Sequence, residues 1–270
     1  MNNNGLTLLK LGGSLITDKD RPHTPRPDVL ARLADEIAAA REVETGLPLI
    51  IGHGSGSFGH IAARKHGTRQ GVQSAADWVG FATVWKEARA LNQIVLEELT
   101  NAGLPVIAFP PSASVMARAG EPVRWDLLPM QAALAAGLIP LINGDTIFDE
   151  QRGGTILSTE DLFIYLAHAL RPRRILLAGL EAGVWSDFPA CTRLIDTLTP
   201  ASFPAAAAHI SGSASVDVTG GMLEKVRIML RLTEESPEME TLIFSGQQPG
   251  AVRSALLGER PGTLLRGDRA

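Results

Sequence analysis

"LPLIIGHGSGSFGH", residues 47–60, decides how this chain folds. Its first half, "LPLIIG", is a short apolar run with no polar alternation, the pattern of a strand buried on both faces. Its second half gathers three glycines, two serines and two histidines in eight residues. From Ser57 onward, "SFGHIAA" has the pattern of a helix start. Strand, glycine loop, helix is the arrangement in which a positive helix N-terminus meets an anion. His60 then falls in the first helical turn. Taken alone, a histidine there is more simply a capping or core residue. The spacing is also not GxxxxGK[ST], so the loop is no Walker motif.

The same rhythm runs outward along the chain. "LTLLKL" (6–11), "LPVIAF" (104–109), "LIPLIN" (138–143), "RILLAG" (174–179) and "ETLIFS" (240–245) read as further buried strands. Helical patterns lie between them over 28–44, 75–102, 127–136, 158–170 and 221–232. This alternation predicts an α/β fold with a mostly parallel sheet covered on both faces. Ligands in such sheets bind beyond the carboxyl ends of the strands. The segments 115–125 and 146–157 read as β-hairpins with glycine turns. "HTPRP" (23–27) is a proline-rich loop that stops regular structure after Lys19. "RPRRILLAG" marks a transition between an N-terminal lobe, about 1–172, and a C-terminal lobe, about 173–270, of a single domain.

Bulk composition narrows the function. The 270 residues are 45% apolar, enough for one large core, and the net charge of −4 gives no basic excess for a nucleic-acid partner. The single cysteine, Cys191, excludes an intramolecular disulfide and a CxxC metal site, and fits a reducing, cytoplasmic setting. No signal peptide or membrane-spanning run is read in the sequence. Only five of the 25 basic residues are lysine: Lys10, Lys19, Lys65, Lys86 and Lys225. Lysine is a compact point charge where arginine is a broad fork. Three of the five flank glycine-rich stretches.

Those stretches carry the chemistry. In "KLGGSLITDK" (10–19) a strand ends in two glycines and a serine between two lysines. Glycines let the backbone approach an anion, and successive N–H groups form a nest for phosphate oxygens. "SGSASVDVTGGMLEK" (211–225) repeats the theme, with Asp217 before two glycines and Lys225 one turn into a helix. "NGD" (143–145) and "STED" (158–161) add Asp145 and Asp161. A carboxylate among lysines can hold them without touching phosphate, although helix capping is the simpler role for such residues. Phosphoryl transfer, which needs mainly positioning and charge neutralisation, unites these loops.

"KLGGS", "NGD", "TED" and "DVTGGM..K" together resemble the amino acid kinase superfamily. "HGSGSFGH" with "KLGGSLITDK" and "SGSASVDVTGGM" is similar to its isopentenyl phosphate kinases. The resemblance runs from Lys10 to Lys225. It implies an open, mostly parallel three-layer αβα sandwich, ATP with Mg2+, a phosphate acceptor such as isopentenyl phosphate, and a homodimer. By that resemblance Lys10 and Lys225 neutralise the transferring phosphoryl group, Lys19 holds phosphates and Asp161 orients the lysines. Gly12, Gly13, Ser14, Gly179, Gly183, Thr219, Gly220 and Gly221 lie along ATP, with Gly12, Gly13, Gly54 and Gly56 offering backbone N–H groups. Gly54, Ser55, Gly56, Gly59, Gly144 and Asp145 line the acceptor site, where His60 donates a hydrogen bond to the acceptor phosphate. Phe81 and Val84 either pack in the core or close a short apolar tail pocket. No protein ligand set for a metal is read. "AGLEAGVW" (178–185) departs from the acidic "TDVDGV" of the superfamily, with Glu181 the one acidic residue left to meet a nucleoside. A phosphonate kinase of the fosfomycin type and a non-catalytic nucleotide or anion binder are the alternatives.

Overall fold

Strand β1 (Thr7–Leu11) sets the plan of the molecule. Successive side chains of a strand point to opposite faces. Leu8 enters the apolar cluster on one face of the sheet, while Leu9 and Leu11 enter the cluster on the other. Lys10 therefore shares the face of Leu8. In the computed structural model, which describes residues 5–210 and 221–268, β1 lies near the middle of an eight-stranded sheet.

The other strands are β2 (Leu49–His53), β3 (Val106–Ala108), β4 (Val115–Arg118), β5 (Glu121–Trp125), β6 (Ile139–Asn143), β7 (Asp145–Asp149), β8 (Gly153–Leu157), β9 (Arg174–Gly179), β10 (Thr197–Leu198), β11 (Glu240–Ser245) and β12 (Gly262–Leu265). The large sheet runs β10-β12-β11-β9-β1-β2-β6-β3. Every pairing from β11 to β3 is parallel, and β12 is antiparallel to β11. The two hairpins read from the sequence form, and they join through a parallel β4–β7 pairing into a separate sheet, β5-β4-β7-β8. Neither β10 nor β12 was expected. "TL" and "GTLL" are too short to carry a period.

The helices are α1 (Gly13–Ile16), α2 (Pro27–Val43), α3 (Gly56–His66), α4 (Ala75–Asn101), α5 (Leu128–Ala135), α6 (Thr159–Leu170), α7 (Phe203–Ala207), α8 (Gly221–Glu235) and α9 (Ala251–Leu256). Leu33 and Ile37 of α2, Leu91 and Val95 of α4 and Val252 of α9 pack with Leu9 and Ile51 on one face. Phe163 and Leu166 of α6 and Met229 of α8 pack with Leu8 and Ile50 on the other. The result is the three-layer αβα sandwich with an open, mostly parallel sheet that the resemblance implied. Among the described residues, no helix is long and apolar enough to cross a membrane.

Candidate active site

The loops after β1 and β2 meet backbone to backbone. A Cβ on Gly13 would lie 2.5 Å from the Gly56 nitrogen, and one on Gly56, whose φ is +51°, would lie 2.2 Å from Thr17 Oγ1. No residue with a side chain fits at this crossing. Gly12 and Gly54 do less than expected. The Gly12 N–H donates to the Ala178 carbonyl (2.8 Å) and the Gly54 N–H to that of Leu11 (3.2 Å). Those two amides hold the loops to the sheet and are not available for an anion, because each is already satisfied.

A cleft of about 500 Å³ opens over this crossing. Gly12, Gly13, Ser14, Gly54, Ser55 and Gly56 form its floor. Gly59 and His60 reach it from the first turns of α3, Gly144 from the end of β6, and Gly179 from the end of β9. Lys19 reaches it from a loop closed by Asp18 N–H donating to the Thr24 carbonyl (2.9 Å) and by a Thr17–Pro25 bridge.

The charges gather on the α6/α8 face, where the alternation of β1 sends Lys10. Glu160, in the first turn of α6, accepts a short hydrogen bond from Lys10 Nζ and lies 3.8 Å from Lys225 Nζ of α8. Burial raises the Glu160 carboxyl, but Lys10 and then Lys225 outweigh it and bring it down to about 2. The carboxylate between the lysines is thus Glu160, and the expectation for Asp161 is corrected. Asp161 is spent on a capping box. Its Oδ2 accepts from Ser158 N–H (2.7 Å), and its own N–H donates to Ser158 Oγ (3.1 Å). Its remaining partner is Arg69, at 3.6 Å.

Other expectations also shift. Val84 lines the cleft, as do Ala63, Ala88, Ile156 and Leu157. Phe81 does not line it. Its ring packs between Trp78 (5.3 Å) and Phe148 (5.4 Å) and covers Gly154. Asp145 does line the cleft, 4% exposed, and accepts from Ser112 N–H (3.1 Å) and Thr146 N–H (2.9 Å). Burial pushes its carboxyl up. Gly183 lies away from the cleft lining. A Cβ there would meet Thr263 Oγ1 at 2.5 Å, so this glycine serves close packing against β12. Gly221 opens α8, and Thr219, Gly220 and Asp217 lie outside the described residues. Glu181 faces the cleft and accepts from the Trp185 indole N–H (3.1 Å). Arg64 and Arg69 line the cleft without having been singled out. Arg64 follows His60 by four residues on α3, which is the one sequence signal that could have found it.

Among the described residues, no group of three or more His, Cys, Asp or Glu side chains gathers to hold a metal. The carboxylate nearest the lysines is already engaged by them.

Residues 5–245 match the amino acid kinase family. The chain belongs to that family. Within the family, it is 31% identical to isopentenyl phosphate kinase of Methanocaldococcus jannaschii, over 96% of this chain and 98% of that protein. It is 34% identical to isopentenyl phosphate kinase of Haloferax volcanii, over 97% and 99%. A crystallised isopentenyl phosphate kinase superposes with a TM-score of 0.80 at 30% identity, covering 96% of this chain and 99% of that one.

Proposed function

We propose that this protein transfers the γ-phosphoryl group of ATP to the phosphate of isopentenyl phosphate, giving isopentenyl diphosphate and ADP. One observation carries the reading. Glu160 draws Lys10 and Lys225 to one point beside the crossing of two glycine loops. Two ammonium groups held together there suit a phosphoryl group passing between two anions.

An acceptor phosphate oxygen attacks the γ-phosphorus, and the bond from that phosphorus to the β–γ bridging oxygen breaks in line. The electron pair leaves on ADP. A phosphomonoester has its second pKa at about 6, so the attacking oxygen is ionised at neutral pH and needs no general base. The task this leaves for His60 is to donate a hydrogen bond to the acceptor phosphate and orient it. Lys10 and Lys225 neutralise charge on the moving group, and Lys19 adds a third cation. Magnesium would enter with ATP and would add charge neutralisation at its phosphates. Val84, Ala88 and Ile156 offer a short isoprenoid tail an apolar wall. That wall favours an alkyl phosphate over a polar phosphonate.

In this reading the chain up to about residue 172 supplies most of the acceptor side, and the rest, with Gly179, Glu181 and Lys225, supplies the nucleotide side. We place the enzyme in the cytoplasm as a homodimer. Exposed Trp78 and Phe148 leave apolar surface for such an interface, and light scattering tests it.

The testing experiment follows ADP release from Mg-ATP with isopentenyl phosphate, dimethylallyl phosphate or fosfomycin, for the wild type and Lys10→Met. Turnover that prefers isopentenyl phosphate and falls at least a hundredfold in the variant is expected. ATP binding without turnover of any acceptor overturns the reading.

A further inference from the structure

The first histidine of the glycine loop, His53, is fully buried, and nothing so far has used its ring. It stands at the carboxyl end of β2, on the face of Leu49 and Ile51, and so points toward α4. There Nε2 lies 3.0 Å from Oδ1 of Asn92, a side chain 5% exposed. Nδ1 lies 3.1 Å from the carbonyl oxygen of Gly54. Burial lowers the pKa of the ring, so it is neutral and carries one proton. A proton on Nδ1 donates to Gly54 and leaves Nε2 an acceptor, which pairs with Asn92 when its amide is turned so that Nδ2 stands where Oδ1 is drawn, the two ends being alike in shape.

The neighbouring peptides show why this contact matters. The peptide between residues 53 and 54 is held on both sides. The His53 carbonyl accepts from Thr159 Oγ1 (2.6 Å) and Gly144 N–H (3.1 Å), and the Gly54 N–H donates to Leu11 (3.2 Å). One residue further, the Ser55 carbonyl accepts from Phe58 N–H (3.0 Å) as α3 begins. Between them lies the Gly54–Ser55 peptide, and its carbonyl contact is the His53 ring. In a trans peptide the C=O and the next N–H point in opposite directions. Drawing the Gly54 carbonyl into the interior therefore turns the Ser55 N–H away from it, and Ser55 lines the cleft.

We propose that His53 and Asn92 are positioning residues that set the Gly54–Ser55 peptide so that the Ser55 N–H faces the acceptor phosphate. The idea rests on the acceptor reading above. It assigns α4 a second task besides walling the tail: its buried amide orients a donor at the other end of the same acceptor.

The test uses the full chain with Asn92→Leu, which keeps the branched shape and removes the polar partner, and Asn92→Gln, which keeps an amide able to donate to Nε2. Michaelis constants are measured separately for isopentenyl phosphate and ATP, and inorganic phosphate is titrated against the melting temperature. Asn92→Leu is expected to raise the acceptor KM about tenfold, the loss of one oriented hydrogen bond, with the ATP KM within about twofold. Asn92→Gln is expected to recover most of that loss. A merely structural role predicts something else: both constants unchanged and kcat falling with the folded fraction. That result, or a failure of Asn92→Gln to recover the acceptor KM, overturns the proposal. If the wild type does not turn over isopentenyl phosphate, the acceptor reading itself has failed. The phosphate-induced rise in melting temperature then decides the positioning claim, which is wrong if Asn92→Leu keeps it whole.

Discussion

Replacing Glu160 by Gln removes a carboxylate that Lys10 and Lys225 share, and the structure sets the size of the effect. The Glu160 carboxyl falls from an ordinary value of 4.5 to about 2 in the folded protein, which corresponds to about 3 kcal/mol in favour of the ionised folded state. A depressed carboxyl pKa contributes stability that is fully present above the unfolded value, near 4.5, and is lost as pH falls through the folded one, near 2. Urea unfolding of the wild type is therefore expected to lose up to about 3 kcal/mol across that acid window through this group. Glu160→Gln is expected to be weaker by a similar amount at pH 7 and flatter between those limits. The two ammonium groups, no longer drawn together by the Glu160 carboxylate, separate, and kcat drops roughly a hundredfold, the scale of losing one preorganised charge contact. Asp161→Asn is the paired control. It loosens a helix cap and a half-exposed contact with Arg69, so it costs about 1 kcal/mol and leaves kcat within a few fold. The reasoning is refuted if Glu160→Gln keeps kcat within threefold while Asp161→Asn loses more.

His60→Ala is expected to raise the acceptor KM between about tenfold and a hundredfold, with His60→Gln in between; steady-state kinetics at saturating ATP read this. Gly56→Ala places a Cβ 2.2 Å from Thr17 Oγ1 at a positive φ, and is expected to cost more than about 2 kcal/mol in thermal or urea unfolding. Val84→Phe fills part of the apolar wall of the cleft. It is expected to weaken isopentenyl phosphate, measured as kcat/KM, while the ATP KM holds.

What the sequence yields about this fold depends on how far each signal reaches. Five of the six apolar runs are buried on both faces and announce their strands without help from a neighbour; the sixth, β3 at the sheet edge, leaves Ile107 exposed, and all six observed bounds agree within two residues. The edge strand β10 and its neighbour β12 have no such run, because two and four residues gain their place by pairing, which sequence periodicity does not record. At the site the same division holds. Lys10, Lys225 and the glycines are visible because residue type and local spacing define them. The carboxylate that serves the lysines is not, since "STED" offers two acids side by side. On a helix, adjacent positions are about 100° apart, so one of them faces β1 and α8 while its neighbour turns to Ser158 and Arg69. Which acid gets which task is decided by where Ser158 begins the helix. As N-cap it makes Asp161 the third helical residue, where the capping box needs an acid, and leaves Glu160 to the lysines. Moving that cap is a sharper test of the logic than deleting either acid. Ser158→Ala removes the hydroxyl that accepts from Asp161 N–H. It is expected to cost about 1 kcal/mol in urea unfolding and to lower kcat only as far as the first turn of α6 frays, by less than Glu160→Gln. A Ser158→Ala enzyme as slow as Glu160→Gln would mean that the cap, and not the Glu160 charge, holds the two lysines in place.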